Sequence, residues 1–288
     1  MTTKNDMRVA VIGCGNMGGA LLKGWARANA SETLSSTQSP LTSSLPPLAL
    51  TATARTQRTL DAFHAACPAV RTTLSNAEAV SDADVVVLAV KPWFIAEVID
   101  EIRDTLAASE RRPVLVSVAA NITSADLQAL LGLDLPCVYV MPNIAAEFGA
   151  SMTFVEGAMS ADSTAARQKE AVAVTEALFS LVGSVQVVPS RLMAPGMMMA
   201  GCGIAYVMRY LRAMMEGGVE MGFYPADARK IALQTMEGAV RLLEETGLHP
   251  EVAIDKVTTP GGITIRGLNE LDHAAFNSAV IRSLKAGL

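Results

Sequence analysis

"RVAVIGCGNMGGALLKGWARANA" occupies residues 8 to 30 and changes its period partway along. Arg8 to Ile12 is a short β-branched run, and from Met17 onward apolar residues recur at helical spacing, so the stretch reads as strand, turn and helix. The turn carries Gly13, Gly15 and Gly18 in the pattern G-x-G-x-x-G. Each glycine has a separate task there: the first permits a tight turn, the second lets a pyrophosphate approach the backbone, and the third brings the helix against the strand. The helix N-terminus then presents unpaired N–H groups and a positive dipole end to a phosphate. A plain glycine turn without a ligand is the bland alternative, and the context of the motif decides between them.

That context is further alternation. "LALTATA" (48–54) reads as strand, "TQRTLDAFHAA" as helix and "VVVLAV" (85–90) as a buried strand. "WFIAEVIDEIRDTLAA" follows as helix, then "PVLVSVAA" (113–120) as strand. "TSADLQALLG" is a helix with Thr123 as cap and Asp126 three residues on, "CVYVMPN" is a strand, and "SVQVV" closes the series after the helix "KEAVAVTEALFSLVG". Strands alternating with helices predict a doubly wound parallel sheet covered on both faces. The Ser/Thr/Pro-rich segment 31–47 reads as an exposed excursion. After Pro189 the strand signals stop, and helices are expected over 192–221, 226–246, 251–257 and 264–286 with a break near 268–274. The chain therefore divides into an α/β dinucleotide-binding domain, residues 1–189, and an all-helical domain, 190–288.

Composition narrows the function. With 51% hydrophobic and 18% charged residues the chain can bury more apolar surface than a monomer of 288 residues usually does, which implies contact between subunits. The net charge of −5 supplies no basic field for a nucleic-acid backbone. The N-terminus shows no charged start joined to an apolar core, so a cytoplasmic location is expected. The uncharged stretch "LMAPGMMMAGCGIAYVM" (192–208) is shorter than the roughly 20 residues of a membrane span and contains Pro195 and three glycines, so it reads as a buried helix. Four scattered cysteines and three scattered histidines support neither a disulfide framework nor a metal site.

Two further stretches carry chemistry. An acid at the end of the second strand would hold the ribose diol of NAD, yet from Thr33 to Leu60 there is none, and Arg55 and Arg58 stand there with Thr56 and Thr59. Two cations suit a 2′-phosphate and favour NADPH, with NADH as the alternative donor; a solvated pair at a helix start is the other reading. Near the end, "VTTPGGITIRGL" (257–268) places Pro260, Gly261 and Gly262 between threonines. A turn of that kind leading into a helix leaves backbone N–H groups open to a carboxylate without any lysine or arginine, or else simply caps the helix.

Taken in order, "VIGCGNMGGALLKG", "DADVVVLAVKP", "SVAANIT", "VMPNIAAEFGASMT", "GCGIAYV" and "VTTPGGITIRGL" resemble the motifs of the pyrroline-5-carboxylate reductases, from about residue 8 to 288. The resemblance implies a Rossmann domain followed by a helical dimerisation domain, and NADPH-dependent reduction of the cyclic imine pyrroline-5-carboxylate to proline. It implies that Asn16, Met17, Ala89, Val90, Lys91 and Pro92 line the cofactor, that Asn76 meets its adenosine side, and that Asn143 lies near the nicotinamide. It also implies that the backbone of Thr259, Pro260, Gly261, Gly262 and Ile263 holds the substrate carboxylate, and that the Thr264 hydroxyl faces the ring nitrogen. The helical domains of two chains are expected to interleave, giving at least a homodimer whose loop completes a site against the neighbour's nucleotide.

Departures from the family pattern raise alternatives. "SGSGPAY" is here Ala200 to Tyr206, "MPNTP" is "MPNIA" through Ile144 and Ala145, and "AAGIT" is "AANIT" through Asn121. Polar groups lost near the site and apolar volume gained point to a bulkier cyclic imine as substrate, or else these residues are merely core. A catalytically silent nucleotide-binding homologue is a third reading, against which the retained Pro260, Gly261, Gly262 and Thr264 argue. A β-hydroxyacid dehydrogenase would want a lysine in the long helix, and none occurs between Arg191 and Lys230.

Overall fold

The computed structural model describes residues 6–30, 45–157 and 164–288; the excursion expected at 31–47 lies outside them as far as residue 44. Among the described residues one sheet contains β1 (Met7–Ile12), β2 (Leu48–Thr53), β3 (Arg71–Thr73), β4 (Val85–Leu88), β5 (Val114–Ser117), β6 (Cys137–Met141), β7 (Ser151–Glu156) and β8 (Gly183–Val188). The strand order is β3-β2-β1-β4-β5-β6-β7-β8. The chain runs outward from β1 to β3 and then returns to β4 on the other side of β1. That reversal opens a crevice at the C-terminal ends of β1 and β4.

Residues of alternate parity face opposite layers. Val9, Val11, Val85 and Val87 pack with Leu21, Leu22, Trp25 and Phe179, from α1 (Asn16–Ala30) and α6 (Thr164–Ser180). Ala10, Ile12, Val86 and Leu88 pack on the other face with Ile95, Ile99 and Leu127, from α4 (Ile95–Ala108) and α5 (Ser124–Leu131). Between these lie α2 (Gln57–Ala66) and the one-turn α3 (Asn76–Val80). The start of α5 carries the expected reciprocal cap: Thr123 Oγ1 accepts from the Asp126 N–H and the Asp126 carboxylate accepts from the Thr123 N–H.

In one respect the sheet departs from the expected parallel arrangement. β7, which was not among the strands expected from the sequence, pairs antiparallel with β6, with Val140 opposite Val155. The connection 142–150 is shorter than the dozen or so residues a parallel crossover needs. A 3₁₀ turn over Ile144–Phe148, ended by Gly149 at φ 72°, folds the chain straight back instead. α6 then supplies the length for β8 to pair parallel with β7. The helix expected over 192–221 forms without a break from Met193 to Glu220, but with a π-helical stretch inside it. A short 3₁₀ turn (Ser190–Leu192) leads into α7 (Met193–Gly196), a π-helical segment over Met197–Cys202 and α8 (Gly203–Glu220). Pro195 removes a helix donor, and Gly196 presses on the Phe154 ring of β7, where a Cβ would stand 2.7 Å away.

Contacts cluster the chain into two units, Met1–Gly201 and Cys202–Leu288. The second contains α8, α9 (Pro225–Thr246), α10 (Pro250–Val257), α11 (Ile263–His273) and α12 (Phe276–Lys285). Within it Gly218 meets the Ala228 methyl where α8 packs on α9, and Tyr206 Oη donates to the Ser283 carbonyl at 3.2 Å. Its fully buried residues are only Gly218, Ala228 and Ala232, while Val207, Met208, Phe223, Ile231, Leu242 and Ile281 are exposed. Among the described residues no helix is long and apolar enough to cross a membrane.

Trp25 anchors α1. Its indole N–H donates to the Leu178 carbonyl at 2.9 Å, and its ring meets Phe179 edge-on at 5.4 Å. Directly before it Gly24 leaves no room: a Cβ would stand 2.2 Å from the Ala146 carbonyl oxygen. Gly24→Ala is expected to destabilise the protein by about 3 kcal/mol through this backbone clash, read as a lowered urea midpoint at unchanged m-value.

Candidate active site

The glycine turn is built as its pattern requires. Gly13 adopts φ 98°, and a Cβ there would press within 2.9 Å of Val90 Cγ1 and 3.1 Å of the Ala89 carbonyl oxygen. Gly18 is buried so closely against the turn that a Cβ would stand 2.1 Å from the Gly13 carbonyl oxygen. Gly15 is different, because open space lies where its Cβ would point. That opening, beside the start of α1, is where a pyrophosphate could approach. α1 has no acid in its first turn to neutralise the helix end. Gly15 and Asn16 are exposed, while the Met17 side chain packs partly on the core of the sheet.

The turn is tied to the second strand by Thr53, which sequence reasoning passed over. Its carbonyl accepts from the N–H of Gly13 at 3.2 Å and of Cys14 at 2.8 Å. Its buried hydroxyl donates to Asn76 Oδ1 at 2.7 Å and lies 3.3 Å from the Gly13 nitrogen. Asn76 Nδ2 in turn donates to Glu101 Oε2 at 2.5 Å. Gly13, Thr53 and Asn76 are thus one hydrogen-bonded group on the β2 side of the crevice. On the β4 side Ala89 and Val90 touch the glycine turn, and the Lys91 carbonyl accepts from the Phe94 N–H at 2.9 Å to start a 3₁₀ turn over Pro92–Phe94.

Arg55, Thr56 and Arg58 are exposed just past the end of β2. Thr56 is engaged as the N-cap of α2, its hydroxyl accepting from the Thr59 N–H. Arg58 makes no hydrogen bond or ion pair among the described residues, and the Arg55 guanidinium lies over the Phe94 ring at 4.8 Å from its centroid. Asn143 is buried and its side chain is already employed: Oδ1 accepts from the Ala145 N–H at 3.0 Å, and Nδ2 donates to the Ala200 carbonyl at 3.4 Å in the π-helical segment.

Asn121 stands at φ 62°, in the left-handed region that glycine or asparagine tolerates. Its replacement of the family's glycine is therefore a backbone matter rather than a gain of apolar volume, which corrects the single trend read from the three departures. Its N–H donates to the Tyr139 hydroxyl oxygen at 3.1 Å. Burial, with the Glu156 carboxylate nearby, pushes the Tyr139 phenol up, so it stays protonated. Burial likewise pushes the Cys14 thiol up, so the cysteine in the turn is no thiolate nucleophile at neutral pH.

The loop of 259–264 belongs to the helical unit. Thr258 ends α10, Gly261 adopts φ 70°, and the Gly262 N–H donates to the Thr259 carbonyl at 2.9 Å. A Cβ on Gly262 would stand 2.5 Å from Thr259 Oγ1. Gly262 is the N-cap of α11, with no side-chain cap and no acid in the first turn. Pro260, Ile263 and Thr264 are exposed, Ile263 to 85%. Among the described residues no group of three His, Cys, Asp or Glu side chains could hold a metal ion.

Residues 190–288 match the family model "Pyrroline-5-carboxylate reductase dimerisation", and residues 8–121 match "NADP oxidoreductase coenzyme F420-dependent". Pyrroline-5-carboxylate reductase 1 of Dictyostelium discoideum is 35% identical over 97% of this chain, which spans about half (48%) of that relative. The pyrroline-5-carboxylate reductase of Corynebacterium melassecola is 32% identical over 96% of this chain and 95% of its own length. Among solved structures, that of a pyrroline-5-carboxylate reductase from Coxiella burnetii superposes with a TM-score of 0.77 at 28% identity, covering 98% of this chain and 96% of its own. An eight-stranded sheet with its phosphate turn, a helical unit short of its own core and a relative matched almost end to end lead to one conclusion: the chain belongs to the pyrroline-5-carboxylate reductase family.

Proposed function

We propose that the protein reduces pyrroline-5-carboxylate to proline, with NADPH as hydride donor, as a homodimer or larger homo-oligomer. In this reaction a hydride adds to the imine carbon and a proton to the ring nitrogen, so the C=N double bond becomes a C–N single bond. NADPH supplies the hydride when bound. The residues fit such a group: the opening at Gly15 admits a pyrophosphate to the backbone, and the acid-free start of α1 favours its charge. Arg55 and Arg58 receive the 2′-phosphate, and the Thr53–Asn76 pair holds the adenosine side of the crevice.

The observation that carries the substrate assignment is the bare start of α11. Behind Gly261 and Gly262 its N–H groups have no side-chain cap and its first turn carries no acid, which suits a carboxylate. Thr264 needs only to hydrogen-bond the ring nitrogen and orient the imine, since a protonated imine is already a good hydride acceptor. In the proposed assembly the loop of one chain meets the nucleotide of its partner, and water is excluded by the exposed apolar residues of the helical unit as they pair. The four cysteines are all free and three are buried, which fits a reducing compartment such as the cytoplasm.

A bulkier cyclic imine is a second reading, favoured by Ile144, which stands 48% exposed where the family pattern has a threonine. A panel of cyclic imines assayed for NADPH consumption separates the two: the main reading expects pyrroline-5-carboxylate to have the highest kcat/KM, and a larger ring ahead of it would install the second.

Thr264→Ala is expected to lower kcat roughly tenfold, the worth of one hydrogen bond, at unchanged Tm because the residue is exposed; unaltered turnover removes Thr264 from the mechanism. The Arg55→Ala, Arg58→Ala double variant is expected to raise KM for NADPH roughly tenfold through loss of charge-assisted bonds, with KM for NADH unmoved.

A further inference from the structure

We infer that Phe94 is a positioning residue for cofactor selection: its ring holds the Arg55 guanidinium at the crevice, so that the 2′-phosphate of NADPH meets an arginine already in place. The inference rests on the reading of Arg55 as the 2′-phosphate ligand. Arg55 follows β2 and Phe94 closes the turn after β4, and these two strands flank β1. The 4.8 Å contact therefore joins the two sides of the crevice.

A ring suits this task better than a carboxylate would. An acid beside Arg55 would take up its N–H donors and neutralise the charge that the phosphate needs. An aromatic face attracts the cation through its quadrupole and leaves all the in-plane donors of the guanidinium free. Among the described residues Arg55 makes no hydrogen bond or ion pair, so its donors are uncommitted. Holding a long side chain before the ligand arrives also lowers the entropy lost on binding.

Phe94 is itself well placed to act as a fixed surface. Its N–H is bonded to the Lys91 carbonyl, the next residue, Ile95, is wholly buried, and the Trp93 ring flanks it at 6.0 Å. It belongs to neither of the two core clusters that cover the sheet, so its ring is not filling the interior. The sequence signal was its position directly after "AVKPW", two residues beyond the last residue matched to the cofactor.

The test is calorimetric titration of the full-length protein with adenosine 2′,5′-bisphosphate, NADPH and NADH, for the wild type, Phe94→Leu, Phe94→Tyr and Arg55→Ala. Phe94→Leu is expected to weaken the bisphosphate and NADPH about three-fold, the scale of an exposed cation–π contact, to leave NADH unchanged, and to be rescued by Phe94→Tyr. Weakening of NADH to the same degree as NADPH would mean a purely structural ring and overturn the inference. If Arg55→Ala weakens the bisphosphate but Phe94→Leu binds it as the wild type does, the inference alone falls. If Arg55→Ala leaves the bisphosphate unaffected, the 2′-phosphate reading fails and takes the inference with it. None of these readouts depends on which imine is reduced.

Discussion

Helix α1 meets the turn before it at a contact only glycine can make, Gly18 against the Gly13 carbonyl, where a Cβ would stand 2.1 Å from the oxygen. That approach sets the angle at which α1 leaves β1. The angle aims the first N–H groups of the helix at the opening beside Gly15 and lets Trp25, two turns on, reach the Leu178 carbonyl of α6. The same closeness brings Ala89 and Val90 against the turn, so the end of β4 is located by the packing of β1. Remove the contact and the crevice loses its floor and one wall together.

Neither unit carries a cluster of lysines to attract an anion, and each instead offers local features of its own. Two helix starts, those of α1 and α11, lack acids in their first turn, and the second strand ends on arginines where many dinucleotide sites carry a carboxylate. The chain as a whole is negative, at −5, so the proposed attraction for phosphate and carboxylate has to be local rather than a property of its overall field. Local dipoles and a few oriented donors discriminate by geometry, which a diffuse basic patch cannot do.

The helical unit presents the opposite physics. With three fully buried residues it has too little interior of its own to offset the entropy of ordering its helices, and its exposed Val207, Met208, Ile231 and Leu242 are the surface a second copy would cover. The loop proposed to grip a substrate carboxylate sits in that unit. In the proposed assembly association and formation of the site are therefore a single event, and catalytic competence depends on protein concentration in the way dimer stability does.

The sequence by itself determined the strand-turn-helix at residues 8–30, the parity of residues along the buried strands, the cap at Thr123 and the acid-free end of β2, because each depends on neighbours within a few positions. It left several things open. β7 escaped notice because an antiparallel return is decided by a short connection and a left-handed glycine, not by the composition of the strand itself. The helix expected over 192–221 formed, but its π-helical stretch over Met197–Cys202 was not legible, and neither was the packing of Gly196 beside it on Phe154, a partner from a distant strand. The identity of Asn121 points to an altered pocket, whereas its φ of 62° makes it a backbone requirement. Only the tertiary structure brought Thr53 to Gly13 and Asn76, and Phe94 to Arg55, since residues far apart in the chain become neighbours only when parallel strands place their ends side by side.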